Sequence, residues 1–471
     1  MRTERDSLGQ KDIPDDAYYG IQSARAAENF PITGTPVHRE LYIALAYIKK
    51  AAAMANLDVK LLKEPAGSAI IAAADEIIAG QHTAHFIVDS IQGGAGTSIN
   101  MNMNEVIANR ALELLGKRKG DYGSLSPNNH VNMSQSTNDV IPSALKIAAY
   151  LLAQQLLATK RRLAEELRKK QVQFHDIIKV ARTHLQDAVP VRLGQQFGAY
   201  SRVIERDIRR LEQATSDLLW LNMGATAVGT GLNAKPEYID SVILHLRELL
   251  GIEVKRADDL VDATQNTDAY TELSSALKIS AVNLSKICND IRLMASGPIT
   301  GLNELLLPPR QPGSSIMPGK VNPVMAEVVN QVAFQVLGND HTIALACEAG
   351  QLELNVMGPV IAFNLLQSLK IMNNGIDVFT RFALEGLEAN RTRLTANLEK
   401  SFSMITALNP HLGYEVAAGL VKDALKTGMT LREIILERGL LTQEELDVIL
   451  HPEEMTTPGI AGERFLNEDR A

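Results

Sequence analysis

The chain has 471 residues, 45% of them hydrophobic and only 4% aromatic, with a formal net charge of −8. Such a length can bury a large core and allows two to four domains or one long unit, and with so few rings Ala, Leu, Ile and Met must carry the packing, which favours helix on helix over a β-sandwich. The mild charge excludes the clustered basic footprint of a nucleic-acid binder, and the only cysteines, Cys288 and Cys347, exclude a disulfide framework.

Residues 1–137 read as mixed. Pro14, Gly20, Pro31, Gly34 and Pro36 punctuate the start, a helical run covers 41–57, and Gly- and Asn-rich loops follow at 93–104 and 126–139. The opening MRTERDSLGQ has no apolar signal core and no run of 18 apolar residues occurs, so a cytoplasmic protein without a membrane partner is expected. From 145 to 174 the apolar residues Leu145, Leu152, Leu156, Leu163, Leu167 and Phe174 fall at steps of 7, 4, 7, 4 and 7, a coiled-coil-like seam on one long helix. Residues 194–222 read as another long helix, and 236–298 and 323–359 as mostly helical. Helices of this length need partners along their whole length, within one chain or between identical subunits. The tail from about 393 is a smaller helical unit, loop-like at 401–413, with short helices at 430–440 and 442–450. Thr442 and Glu445 form a capping-box pair at the start of the second.

Several motifs fail on inspection. Gly313 and Gly319-Lys320 have five residues between the glycines where a phosphate loop has four, and Val321 stands where Ser or Thr should hold magnesium. Gly229-Thr230-Gly231 lacks a third glycine and a preceding strand. His82 and His85, three apart on an expected helix, read as a surface pair because no third ligand is in reach.

Four segments stand out as rich in small polar residues: GGAGTSINMN at 93–102, HVNMSQSTND at 130–139, RTHLQD at 182–187 and GSSIMPGKVNP at 313–323. Ser136, Thr137 and Asn138 precede a long helix. One cap needs one such residue; several spare hydroxyls at a helix N-terminus make an anion site, because backbone N–H groups and the helix dipole both favour negative charge. Thr97 and Ser98, after three glycines, can add donors. Lys320 and Asn322, close to Ser314 and Ser315, can grip a second carboxylate. His184 is a loop residue that Glu327 can orient if the fold brings them together. The implied substrate is a small dicarboxylate. With no metal, nucleotide or pyridoxal motif in the chain, the expected chemistry is positioning, hydrogen bonding and general-base catalysis, an elimination through a carbanion.

These segments, GSSIMPGKVNP above all, together with HVNMSQSTND, GGAGTS and RTHLQDAVP in the same order, resemble the aspartase/fumarase superfamily over essentially the whole chain. The resemblance implies a mainly α, three-domain fold with a long central helical bundle shared in a homotetramer and active sites built from several subunits. The corresponding domains are 1–137, 138–392 and 393–471. No cofactor and no metal are expected, since the chain carries no motif for either. The resemblance also implies Ser314 as the base on a mobile loop, with His184 and Lys320 completing the catalytic group. Thr97, Ser136, Thr137 and Ser315 hold one carboxylate, Lys320 and Asn322 the other, and Asn138, Thr183 and His184 surround the leaving group, with Glu327 and Met317 in support. Backbone N–H groups in 313–319 and the charge of Lys320 are expected to lower the pKa of the serine.

Within the superfamily, GGAGTS, Ser126-Pro127-Asn128-Asn129, Val324-Met325 and ERGLLT look like the branch that removes ammonia from L-aspartate; fumarate hydration is the alternative. One departure from that branch is Gly358 in NVMGPV, where an acidic residue is usual. A non-catalytic helical scaffold is the reading from another class. It would expect damaged hydroxyl loops, whereas here Ser314, Lys320, Asn322, Thr183 and His184 are all present.

Overall fold

The computed structural model describes residues 1–466. The chain forms two compact units, each assembled from three separate stretches. Their limits fall inside five long helices: Thr137–Gln173, Leu193–Ala214, Asp268–Met294, Val324–Glu348 and Gly358–Phe379. Strands are short, and every sheet among the described residues has two strands.

The first unit comprises Met1–Thr159, Asp207–Val282 and Gln331–Asn374. It opens with an antiparallel hairpin, Arg2–Asp6 against Gly9–Ile13. Helix Ile21–Asn29 starts without a side-chain cap of its own. The buried carboxylate of Glu105 supplies the missing acceptor, taking the N–H groups of Gly20, Gln22 and Ser23. Its core is close-packed alanine and aliphatic side chains. Ala44, Leu45, Ile48 and Ala52 of Arg39–Asp58 are fully buried, as are Ile70 and Ala73 of Ala66–Ile78 and Met103 and Ile107 of Thr97–Leu114.

The second unit comprises Lys160–Arg206, Asn283–Asn330 and Gly375–Ala471. It holds an antiparallel hairpin, Ile178–Thr183 with Gln186–Arg192. It also holds a group of short helices at the C-terminal end, whose core includes Leu408, Leu420, Ile434, Ile435, Leu446 and Ile449. Both capping boxes there are formed: Thr430 with Glu433, and Thr442 with Glu445.

The seam holds: Leu145, Leu152, Leu156, Leu163, Leu167 and Phe174 are all buried. The helix carrying it is apolar enough over part of its length to match a membrane span, but most of that part is buried inside the protein. Three expectations need correction. The helix begun near 194 ends at Ala214, not near 222, where the hydroxyls of Thr215 and Ser216 turn back onto the carbonyls of Glu212 and Gln213; a 3-10 turn and strand Trp220–Leu221 follow. Residues 405–412, expected in a loop, form a helix despite Pro410, because Leu408 and His411 are buried in the C-terminal core and His411 Nε2 lies 2.7 Å from the Ala461 carbonyl. His82 and His85 are not a surface pair on an ordinary helix. His82 is left-handed (φ +62°) before a three-residue 3-10 turn, and both rings pack edge-on against Tyr18.

Candidate active site

In the first unit the Gly-rich turn ends at Gly96 (φ +89°), and Thr97, an exposed residue, opens the next helix. A Cβ on Gly96 would stand 3.0 Å from Ile141, so the start of Thr97–Leu114 packs directly against Thr137–Gln173. Gly is required there twice over, by its positive φ and by this approach.

Ser136 caps the Thr137 helix. Its Oγ accepts the Asn138 N–H (3.2 Å), and the Asp139 carboxylate accepts the Ser136 N–H in return (2.9 Å). The other Asp139 oxygen accepts the N–H groups of Gly224 and Thr226 (3.2 and 3.1 Å). Asp139 is fully buried. Burial pushes its carboxyl up to about 7, against the pull of these backbone bonds and of the Lys49 charge. Pro142 lies inside the helix and has no N–H for the carbonyl of Asn138, four residues back; the Asn222 side chain donates to that carbonyl instead (3.0 Å). The Asn138 carboxamide in turn donates to Ala227 (2.8 Å). The loop 222–231 therefore braces the helix start. Gly229 fits tightly within it, since a Cβ there would meet the Val261 backbone at 2.3 Å.

Behind this helix start lies a buried cation. Lys49 is 0% exposed, and Nζ donates to Asn132 Oδ1 (3.0 Å) and Gln135 Oε1 (2.8 Å). Burial lowers its pKa to about 7, opposed by the charge of Asp139. Asn132 Oδ1 also accepts from Asn100 (3.2 Å) and Asn104 (3.1 Å). The same Asn100 carboxamide donates to Thr137 Oγ1 (3.1 Å).

In the second unit Thr183 and His184 are exposed at the tip of a β-hairpin rather than in the plain loop expected. The two-residue turn is His184-Leu185, both left-handed at φ +54° and +63°. Asn-Gly is the usual chemistry for that geometry, so two side-chain-bearing residues sit there under strain. The hairpin is anchored through buried Glu304. Arg182 donates to Oε1 (2.6 Å), and the Lys179 ammonium lies 3.2 Å from Oε2 as an ion contact without hydrogen-bond alignment.

The loop 313–322 of the same unit closes on itself. The Gly313 N–H donates to the Lys320 carbonyl (2.6 Å), and the Asn322 carboxamide donates to the Gly313 carbonyl (3.0 Å). A Cβ on Gly313 would strike that same Lys320 oxygen at 2.7 Å. Inside the loop, Ser314 Oγ accepts two backbone N–H groups, from Ile316 (3.2 Å) and Met317 (3.0 Å). Ser315 and Lys320 are exposed, and Ile316 is 84% exposed.

The first unit thus gathers Thr97, Ser136, Thr137 and Asn138. The second carries Thr183, His184, Ser314, Ser315, Met317, Lys320, Asn322 and Glu327, the last in the first turn of Val324–Glu348. The Asn322 side chain, expected to be free for a carboxylate, donates its N–H to the loop itself. Lys49, Asn100 and Asp139 were not among the expected site residues. A lysine on the same helical stripe as Leu45, Ala52 and Asn56 was the available signal for the first.

Comparison with known proteins identifies the family of the chain. A family described as Lyase matches residues 9–338, and one described as Fumarase C C-terminus matches 404–457. Aspartate ammonia-lyase from Bacillus subtilis is 61% identical over 99% of this chain and 98% of its own length. The Escherichia coli protein of that name is 45% identical over 99% and 98%. Among solved structures, a fumarate lyase:delta crystallin from Brucella melitensis bound to cobalt superposes with a TM-score of 0.93 at 47% identity, covering 97% of this chain and 100% of that one. A class II fumarase from Schistosoma mansoni reaches 0.92 at 36% identity, covering 97% and 99%. The chain belongs to the aspartase/fumarase superfamily and, within it, to the aspartate ammonia-lyase family.

Proposed function

We propose that the protein catalyses the reversible elimination of ammonia from L-aspartate to give fumarate, with Ser314 as the general base. The observation that carries the role of Ser314 is the pair of backbone N–H groups, from Ile316 and Met317, already aimed at its Oγ. Hydrogen bonds to the charged form of a group stabilise that form, so this turn makes the alkoxide less costly to form than that of an ordinary serine. The alkoxide takes a proton from the carbon next to one carboxylate. The resulting negative charge spreads into that carboxylate, where Thr97, Ser136, Thr137 and Ser315 supply donors. The electron pair then forms the double bond as the C–N bond breaks and ammonia leaves. Lys320 holds the second carboxylate, joined by the N–H of the Asn322 carboxamide that the Gly313 carbonyl does not use; Asn138, Thr183 and His184 surround the amine.

Relatives between 45% and 61% identical carry the name aspartate ammonia-lyase, which favours ammonia over water as the leaving group. The assembly in this reading is a homotetramer with sites completed by several subunits, on the three-domain division at 137 and 392. Ile279, Val282, Phe334 and Leu345, exposed apolar side chains on two long helices, suit burial between subunits. The unpaired thiols of Cys288 and Cys347 suit a reducing, cytoplasmic compartment. The test of the reaction is fumarate absorbance after incubation with aspartate and, separately, with malate. Fumarate from aspartate is expected; fumarate from malate alone would overturn the assignment.

A further inference from the structure

We infer that Lys49 is a positioning residue: through Asn132 and Asn100 it fixes the Thr137 hydroxyl as a hydrogen-bond donor facing the substrate carboxylate. The inference rests on the reading that Thr137 binds that carboxylate.

An ammonium has three donors and no acceptor. Wholly buried Lys49 spends two of its N–H groups on oxygens, Asn132 Oδ1 (3.0 Å) and Gln135 Oε1 (2.8 Å), which turns the Asn132 oxygen toward the lysine. The nitrogen of Asn132 is then turned the other way, where it donates to the Gln135 carbonyl (3.2 Å). That settles the next link. Asn100 faces an oxygen and must present its nitrogen, as must Asn104. The second proton of the Asn100 nitrogen reaches Thr137 Oγ1 at 3.1 Å. The threonine oxygen is thereby an acceptor on its inner side, and its own proton is left to point away from Asn100.

The arrangement bears a visible cost. Asn100 Oδ1 and Asn104 Oδ1 are buried and have no hydrogen-bond partner among the described residues. Turning either carboxamide over would set its oxygen against Asn132 Oδ1, which Lys49 holds in place. The unpaired oxygens are what an orientation imposed by Lys49 would leave behind. Without that constraint, Asn100 could offer its oxygen to Thr137, the hydroxyl would donate inward, and its lone pairs would face a carboxylate that repels them.

The test is a double-mutant cycle on kcat/KM for aspartate, using the whole assembled protein. Asn100→Asp puts an acceptor where the donor stood. Asn100→Asp and Thr137→Val are each expected to lower kcat/KM about ten-fold or more. The double variant should fall no further than Thr137→Val alone, because Asn100 acts through the hydroxyl that Thr137→Val removes. Lys49→Met should likewise lose kcat/KM in the parent and little in the Thr137→Val background. Multiplicative losses would reduce Asn100 and Lys49 to structural support and overturn the inference. So would an unchanged Asn100→Asp beside an impaired Thr137→Val. An unchanged Thr137→Val overturns the underlying reading of the site instead. If Asn100→Asp or Lys49→Met does not fold, Asn100→Ala, which deletes the donor without adding charge, enters the same cycle with the same outcomes.

Discussion

The start of Thr137–Gln173 and the loop 313–322 both set serine hydroxyls beside backbone N–H groups, yet they are held in opposite ways. Ser136 is tied from outside its own segment: Asp139 reaches across to Gly224 and Thr226, Asn222 replaces the bond Pro142 cannot make, and Lys49 sits behind Gln135 and Thr137. Among the described residues Ser314 Oγ is tied within its own segment, by the N–H groups of Ile316 and Met317, while Asn322 closes the loop onto the Gly313 carbonyl and Ile316, Met317 and Val321 are exposed. The first arrangement suits groups that must keep a charge in one place without moving. The second suits a group whose loop can travel as one piece with its oxyanion donors attached. A binding platform and a base thus call on the same residue types with different anchoring.

The contrast can be broken most forcefully at Asp139. Asp139→Ala strips the acceptor from three backbone N–H groups and leaves buried Lys49 without its counter-charge. A loss of about 3–5 kcal/mol is expected in urea unfolding. A loss below about 1 kcal/mol would mean the platform is not held this way. Next is Glu304→Gln, which unpairs Lys179 and Arg182 at the base of the hairpin carrying Thr183 and His184. About 2–3 kcal/mol should be lost, with faster hydrogen exchange at 178–192 and little change at 313–322.

Of comparable size is the pH dependence of stability. For Asp139 the folded pKa (about 7) lies above its ordinary value of 3.8, so the folded state keeps its proton longer and the carboxyl's contribution declines as pH rises from about 4 to 7. For Lys49 the folded pKa (about 7) lies below 10.5, so its contribution grows between pH 7 and 10.5. Unfolding at pH 5, 7 and 9 should show a dip near neutrality that Lys49→Met removes on the alkaline side. The smallest effect belongs to Gly358, the first residue of its helix, where a Cβ meets nothing within 4 Å. Gly358→Glu should be accommodated and should raise stability by about 0.3–1 kcal/mol through the helix dipole. A fall in stability would show that the glycine is needed for packing this chain does not display.

Much of the helical framework was legible because its signals are local. The seam from Leu145 to Phe174 and the Thr442–Glu445 cap depend on spacings within one helix, and both formed as read. The hairpin tip at His184-Leu185 was not legible, because that turn normally advertises itself with Asn or Gly and here uses neither. The expected site residues were legible only as a clustering in four segments, and Lys49 lies outside all of them. It lies 83 and 86 residues from Asn132 and Gln135, and only the folded chain shows that the lysine faces inward. Asp139 stood in plain view within HVNMSQSTND, but its bonds to Gly224 and Thr226 cross more than 80 residues.

If Ser314 removes the proton, deleting its hydroxyl must stop turnover and spare binding. Ser314→Ala, assembled and folded as the parent, should still bind fumarate with similar affinity while the rate of fumarate formation from aspartate falls by about 10²–10⁴. A rate within ten-fold of the parent would mean that another group takes the proton.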